Sequence, residues 1–170
     1  MKILCQLVAL ITVLAACQPQ TPPAAEAAEE APVRYTTDAQ EITTAKAGMD
    51  AYLAGDWDAL RATFADNAKV YHNTTEPVSP DQSIADLKEG LQNVSSYSIA
   101  DEQYWERIID DEGKTWVYFW GTWNAEHATS DKIFEVPIHL AWHYQDGKVV
   151  EELGLWDTSQ MVLAQMEAGE

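Results

Sequence analysis

Proton transfer at neutral pH needs a group that titrates near neutrality, or a carboxylate driven there by burial. The sequence supplies four histidines, His72, His127, His139 and His143, among 28 acidic side chains. His72 closes the alternating stretch Ala68–His72, where a strand runs out into a loop. Its imidazole is either a base facing a recess or a solvated loop histidine. His139 and His143 lie four residues apart on one predicted strand, a separation of roughly 13 Å that no single metal ion bridges. His127 has no evident partner, so no metal site is expected. Asp157 stands immediately before a predicted terminal helix, where a carboxylate caps backbone N–H groups. Facing an apolar recess instead, the same carboxylate would resist ionisation and could shuttle a proton.

The strands decide which of these groups meet. Asp146-Gly147, between two apolar runs, is a hairpin signal. A two-residue turn there pairs Tyr144 with Val149, Leu140 with Leu153 and, continuing by twos, Val136 with Asp157. Val136, Ile138, Leu140, Trp142 and Tyr144 then share the face of Asp157, and both histidines take the opposite face. One bulged residue, or a loop one residue longer, would swing His139 to the inner side. Strands are expected at Ala68–His72, Tyr97–Ile109, Thr115–His127, Lys132–Tyr144 and Val149–Trp156. The run Thr115–His127 is aromatic on both faces, with Val117, Phe119 and Trp123 on one and Trp116, Tyr118 and Trp120 on the other. A sheet wet on one side should alternate apolar with polar. The outer face is therefore expected to be covered, by a second copy of the chain in a homodimer or by another protein.

Helices precede these strands. Thr37–Glu41 offers a start, and Ile42, Ala45, Met49, Tyr52 and Leu53 recur at helical spacing up to Gly55, a natural stop. Asp56 can cap a short second helix with Trp57, Leu60 and Phe64 on its inner side, broken at Asp66-Asn67. Ser79-Pro80-Asp81-Gln82 opens a third, carrying Ile84, Leu87 and Leu91. A short helix over Thr158–Met166 ends the chain. Helices first and an antiparallel meander after predict an α+β domain, with the three N-terminal helices packed on the concave face of a curved antiparallel sheet.

The N-terminus has a different character. Lys2 precedes an almost wholly apolar run from Ile3 to Ala16. That run is shorter than the roughly 20 residues of a membrane-spanning helix and reads as a cleavable export signal. Leu14-Ala15-Ala16-Cys17 resembles the lipobox of bacterial lipoproteins. The resemblance implies cleavage before Cys17, lipid on that cysteine and anchoring to a membrane of the cell envelope. Gln18, in place of an aspartate, implies the outer membrane, facing the periplasm. Cys5 and Cys17 are the two cysteines, so a mature domain has no disulfide and no thiol nucleophile. Residues 18–34, rich in Pro, Ala, Glu and Gln, read as a tether. The expected organisation is a signal peptide at 1–16, a tether at 17–34 and one domain at 35–170. A formal net charge of −18 argues against nucleic acid as a partner.

Gly55-Asp56-Trp57-Asp58-Ala59-Leu60, continued by Phe64-Ala65-Asp66-Asn67-Ala68, resembles the second-helix signature of the nuclear-transport-factor-2-like superfamily. Asp146-Gly147-Lys148-Val149-Val150-Glu151-Glu152, Trp156-Asp157 and Leu163-Ala164-Gln165 resemble the closing strand and helix of its SnoaL-like polyketide cyclase branch. The resemblance spans residues 35–167. It implies a cone-shaped sheet wrapped around the helices, with an apolar cavity at its open end that Tyr52, Tyr71, Trp120, Trp123 and Trp142 would line. It places Asp157 at the cyclase acid/base position and His72 where superfamily enzymes carry Asn or Asp, with His139 as a further polar partner if the strand bulges. Leu140 stands where cyclases hold a histidine, and Gly48 where isomerases hold a tyrosine. The leading expectation is therefore a tethered binder of a small apolar or aromatic molecule. A lyase or isomerase using Asp157 and His72 without a cofactor is the alternative, and a protein-interaction module using the aromatic sheet face is the third class.

Overall fold

The computed structural model describes residues 33–168. In chain order the elements are β1 (Tyr35–Thr36), α1 (Gln40–Ala54), α2 (Trp57–Thr63), β2 (Phe64–His72), α3 (Pro80–Gly90), β3 (Val94–Ile99), β4 (Tyr104–Ile109), β5 (Thr115–His127), β6 (Ile133–Gln145), β7 (Lys148–Trp156) and α4 (Ser159–Ala168). The fold is α+β, a curved open sheet with four helices. The sheet runs β1-β4-β5-β6-β7-β2, and β3 also pairs with β5.

Several local signals act as expected. Gly55 ends α1 in the left-handed conformation at φ 68°. The Asp56 side chain accepts a hydrogen bond from Ala59 N at 3.0 Å and starts α2. Ser79 Oγ accepts from Gln82 N at 3.2 Å, with Pro80 in the first turn of α3. Asp146 and Gly147 both take positive φ, 51° and 75°, as a primed hairpin turn requires.

Other expectations are corrected. The sheet is mixed, because β2 pairs with β7 in parallel. A parallel pair needs a long crossover connection, and the chain from α3 to β6 supplies it. The expected strand Tyr97–Ile109 is two strands. β3 pairs with the Trp123–His127 half of β5, β4 with the Thr115–Trp120 half, and the break falls opposite Gly121 and Thr122. Phe64 does not extend α2; it takes extended backbone and opens β2 directly. Ala39, without a side-chain hydrogen bond, caps α1. The fold also begins earlier than residue 35: Arg34 O accepts from Ile109 N at 2.7 Å, and the Arg34 guanidinium pairs with Asp111. Cys17 and most of the predicted tether lie outside the described residues.

The β6–β7 hairpin carries the most consequential departure. Tyr144 pairs with Val149 as expected, but His143 pairs with Glu151. Val150 is therefore an extra residue, a bulge, and every later residue of β7 changes face. Glu152 now opposes Trp142, Gly154 opposes Leu140 and Trp156 opposes Ile138. The inner face of the sheet is closed by Val70, Val117, Phe119, Val136 and Val149, all essentially inaccessible to solvent.

Gly154 is where β7 needs the absence of a side chain. A Cβ there would lie 2.6 Å from Trp156 Cζ3 and 2.7 Å from His72 Cδ2. Gly154→Ala is expected to cost about 1–3 kcal/mol through overpacking. Gly90→Ala, at a helix position with nothing within 4 Å, should be neutral or stabilising. Urea unfolding of the two variants checks this, and equal midpoints would contradict the packing described.

Candidate active site

A cavity of about 410 Å³ lies inside the domain, within the range that holds a small organic molecule. Met49 and Tyr52 of α1, Ile84 and Leu87 of α3, Trp123 of β5 and Ile138, Leu140, Trp142 and Tyr144 of β6 form its apolar wall. A polar patch interrupts that wall where the bulged strand turns a carboxylate inward.

Glu152 is only 7% exposed. Its Oε1 accepts from His72 Nε2 at 2.7 Å, and its Oε2 accepts from Trp142 Nε1 at 3.0 Å. A carboxylate has no proton to give, so His72 Nε2 carries one. In the neutral ring Nδ1 is then the acceptor, and Ser83 Oγ lies 3.4 Å from it. Ser83, 4% exposed, sits one turn into α3, its own N–H committed to Ser79 O at 2.9 Å. Trp156 meets the His72 ring edge-on, with centroids 4.9 Å apart.

Local structure holds the imidazole here. Asn73 follows His72 with φ 53°. Its backbone N–H donates to Gly154 O at 2.9 Å, and its side-chain Oδ1 accepts from Trp156 N at 3.0 Å. Asparagine tolerates this left-handed conformation better than most residues. The end of β2 is thus stitched to β7, and the missing side chain of Gly154 leaves room for the ring. Burial, aided by the negative charge of Glu152, pushes the Tyr144 phenol up from its ordinary pKa. Burial also raises that of Tyr52, against the opposing pull of the Trp123 indole beside it.

A model of the SnoaL-like domain matches residues 45–152. The chain belongs to the SnoaL-like domain family. Solved structures agree on the fold at low sequence identity. A putative SnoaL-like polyketide cyclase from Shewanella putrefaciens is 18% identical with TM-score 0.58, covering 75% of this chain and 88% of that one. IdmH, a putative polyketide cyclase from Streptomyces antibioticus, is 17% identical with TM-score 0.60, covering 76% and 99%. An NTF2-like protein of unknown function from Burkholderia pseudomallei is 16% identical with TM-score 0.58, covering 74% and 97%. No curated protein matches the sequence.

Within this SnoaL-like domain the predicted site residues separate. His72, Tyr52, Trp123 and Trp142 line the cavity. Asp157 does not. It is exposed, and its Oδ1 accepts from Ser159 N at 2.8 Å, the capping role at the start of α4. The hydrogen bonds from Ser159 hold its carboxyl below the usual range, the reverse of what a neutral-pH proton donor requires. The bulge at Val150 explains the misplacement, because it moves β7 and leaves β6 in register. For the same reason His139 stays on the outer face, its ring stacked on Trp120 at 3.7 Å and its Nδ1 3.0 Å from Phe119 O. Trp120 is 48% exposed on that face. Tyr71 is corrected too: it alternates with the inward residues Val70 and His72 and lies outside the cavity lining.

Sequence reasoning missed Glu152 and Ser83. Glu151-Glu152 offers a carboxylate to either face of the strand, so alternation cannot choose between them. Ser83 was legible in principle, because Ser83 and Leu87 lie four apart on the helix face that also carries Pro80, Ile84 and Leu91.

Removing one member of a buried pair strands the other. Glu152→Leu is expected to cost about 3–5 kcal/mol, with a double-mutant cycle against His72→Leu recovering a large part of it as coupling. Asp157→Asn, which keeps a capping oxygen, should leave the unfolding midpoint near wild type. Chemical denaturation of the set tests this, and a coupling near zero would contradict the paired geometry.

Proposed function

We propose that this SnoaL-like domain is an acid/base enzyme of the lyase, isomerase or cyclase kind. It would act on a small, largely apolar molecule that carries an acidic C–H next to a carbonyl. The observation that carries this reading is the Glu152–His72 pair, a carboxylate and an imidazole bonded to each other on the wall of an otherwise apolar cavity. Burying a carboxylate costs several kcal/mol unless it is paired, and apolar residues in place of both Glu152 and His72 would fill the core more cheaply. The imidazole supplies a proton acceptor, and the carboxylate fixes its tautomer and stabilises the charged ring that forms. The likeness to putative polyketide cyclases supports the same class of chemistry. The reading takes the sheet and helices as a cone whose wide mouth admits the molecule, and it assigns no role to Asp157.

Hydrogen exchange at carbon is the direct test. A panel of small aromatic and aliphatic ketones is incubated with the domain in D₂O, and deuterium entry at the α-carbon is followed by NMR. Wild type should accelerate exchange for at least one class of ketone, and Glu152→Gln should lower the rate about 100-fold or more. Exchange that is unchanged in Glu152→Gln would reject the reading.

A second reading, capture without turnover, has one observation in its favour. Both oxygens of Glu152 and both ring nitrogens of His72 already have partners within the protein. Saturable binding of a ketone with no exchange in wild type would select it.

We also propose that the domain works from a membrane surface, held by lipid on Cys17. The Leu14-Ala15-Ala16-Cys17 tetrapeptide supports this, since two or more acyl chains at about 0.8 kcal/mol per buried methylene anchor firmly. Full-length protein expressed in a Gram-negative host should sediment with membranes and carry an acyl mass on Cys17, and Cys17→Ala should not. An unmodified Cys17 in mature protein would refute the anchor.

A further inference from the structure

Ser83 has a position that the proton-transfer reading does not need. Hydroxyls inside a helix commonly donate back to the carbonyl four residues earlier, and in α1 those of Thr43 and Thr44 do so, to Ala39 O and Gln40 O. Ser83 does not. Its hydroxyl turns to His72 Nδ1, and among the described residues its oxygen accepts no hydrogen bond. The groups then stand in sequence in space: a buried hydroxyl, an imidazole 3.4 Å away, and a carboxylate 2.7 Å from the far nitrogen of that imidazole, itself held by the Trp142 N–H. Activation of a serine requires this order of nucleophile, base and orienting acid. The 3.4 Å separation is of the loose kind found before substrate is bound.

We infer that Ser83 is a nucleophile and that the cavity also hydrolyses esters of small hydrophobic acyl groups through an acyl-serine. Ser83 Oγ bonds to the ester carbonyl carbon while its proton passes to His72 Nδ1. The carbonyl π electrons move onto oxygen. When they return, the bond to the alkoxy group breaks, and Nδ1 gives that leaving oxygen the proton. Water then adds to the acyl-serine, Nδ1 takes its proton, and Ser83 leaves with that proton restored. The products are one acid and one alcohol. Throughout, Glu152 keeps the Nε2 proton in place and balances the imidazolium charge. Tyr144, which lines the same cavity, is assigned as the donor to the carbonyl oxygen. The inference rests on the same cavity admitting a small apolar molecule, but not on any proton leaving carbon.

The test uses the full chain and two probes, p-nitrophenyl butyrate and an alkyl fluorophosphonate. Intact mass and peptide mapping should find one fluorophosphonate adduct, on Ser83, and release of p-nitrophenolate should cease in Ser83→Ala. Glu152→Gln should slow labelling about 100-fold or more, a loss that a serine serving only to position His72 would not produce. No adduct, or an adduct on another residue, overturns the proposal. Ser83→Ala should unfold in one cooperative transition with a midpoint close to wild type, which excludes misfolding as the cause of a lost adduct. The two readings separate cleanly. Ketone exchange without a Ser83 adduct leaves proton transfer standing and removes the nucleophile, and an adduct without exchange does the opposite.

Discussion

A β-strand allows a residue only two directions, and one inserted residue exchanges them for everything downstream. In this domain the inserted residue is Val150. Before it, Val149 packs into the core opposite Tyr144. After it, Glu152, Gly154 and Trp156 take the inner face that an unbulged hairpin would have given to Glu151, Leu153 and Leu155. The outer positions are the exposed ones, with Leu155 more than half accessible. The strand thus places two leucines toward the outside and a glutamate inside, an exchange opposed by the hydrophobic effect and by carboxylate desolvation alike. It is tolerable only because Glu152 arrives opposite two donors, His72 Nε2–H and Trp142 Nε1–H.

The rest of the site follows from that exchange. Gly154 comes to lie beneath His72 and must have no side chain. Asn73 must turn back on itself to bond Gly154 and Trp156, which fixes the last residue of β2 beside the bulged strand. The cap at Ser79 sets the rotation of α3, so that Ser83 faces the imidazole and Ile84 and Leu87 face the apolar volume. Three elements from distant parts of the chain therefore contribute one polar group each to a single wall. The opposite end of the cavity, around Tyr52 and Trp123, is aromatic and supplies shape rather than charge. Proton transfer and serine acylation both draw on this arrangement, because each uses His72 with its tautomer fixed by Glu152.

Much of the fold was legible from residues whose backbone chemistry is local. Gly55, Asp56, Ser79-Pro80 and Asp146-Gly147 each dictate a conformation within a few residues, and each is found where the sequence puts it. The apolar face of β6 was equally plain, since Val136 to Tyr144 alternates without interruption. What stayed hidden is non-local or concerns parity. The parallel pairing of β2 with β7 joins segments some eighty residues apart, as His72 with Gly154 shows, and nothing within either strand announces it. The division of residues 94–109 into two strands is imposed by β5. The bulge leaves no mark in Val149-Val150-Glu151-Glu152, where doubled residues make both registers look alike. Hence Asp157 was a reasonable expectation for the inner carboxylate and Glu152 is the residue found there. The family resemblance located the right strand and helix but could not decide which way a side chain points.

The most direct measurement is nitrogen-15 NMR of the histidine rings in the ligand-free domain. If Glu152 faces inward and accepts from His72, the His72 ring must be a single tautomer with hydrogen on Nε2, that proton must be protected from exchange with water, and both properties must disappear in Glu152→Leu, which leaves no acceptor. A His72 ring that averages its tautomers, exchanges freely with solvent and is indifferent to Glu152→Leu would contradict the account at its foundation.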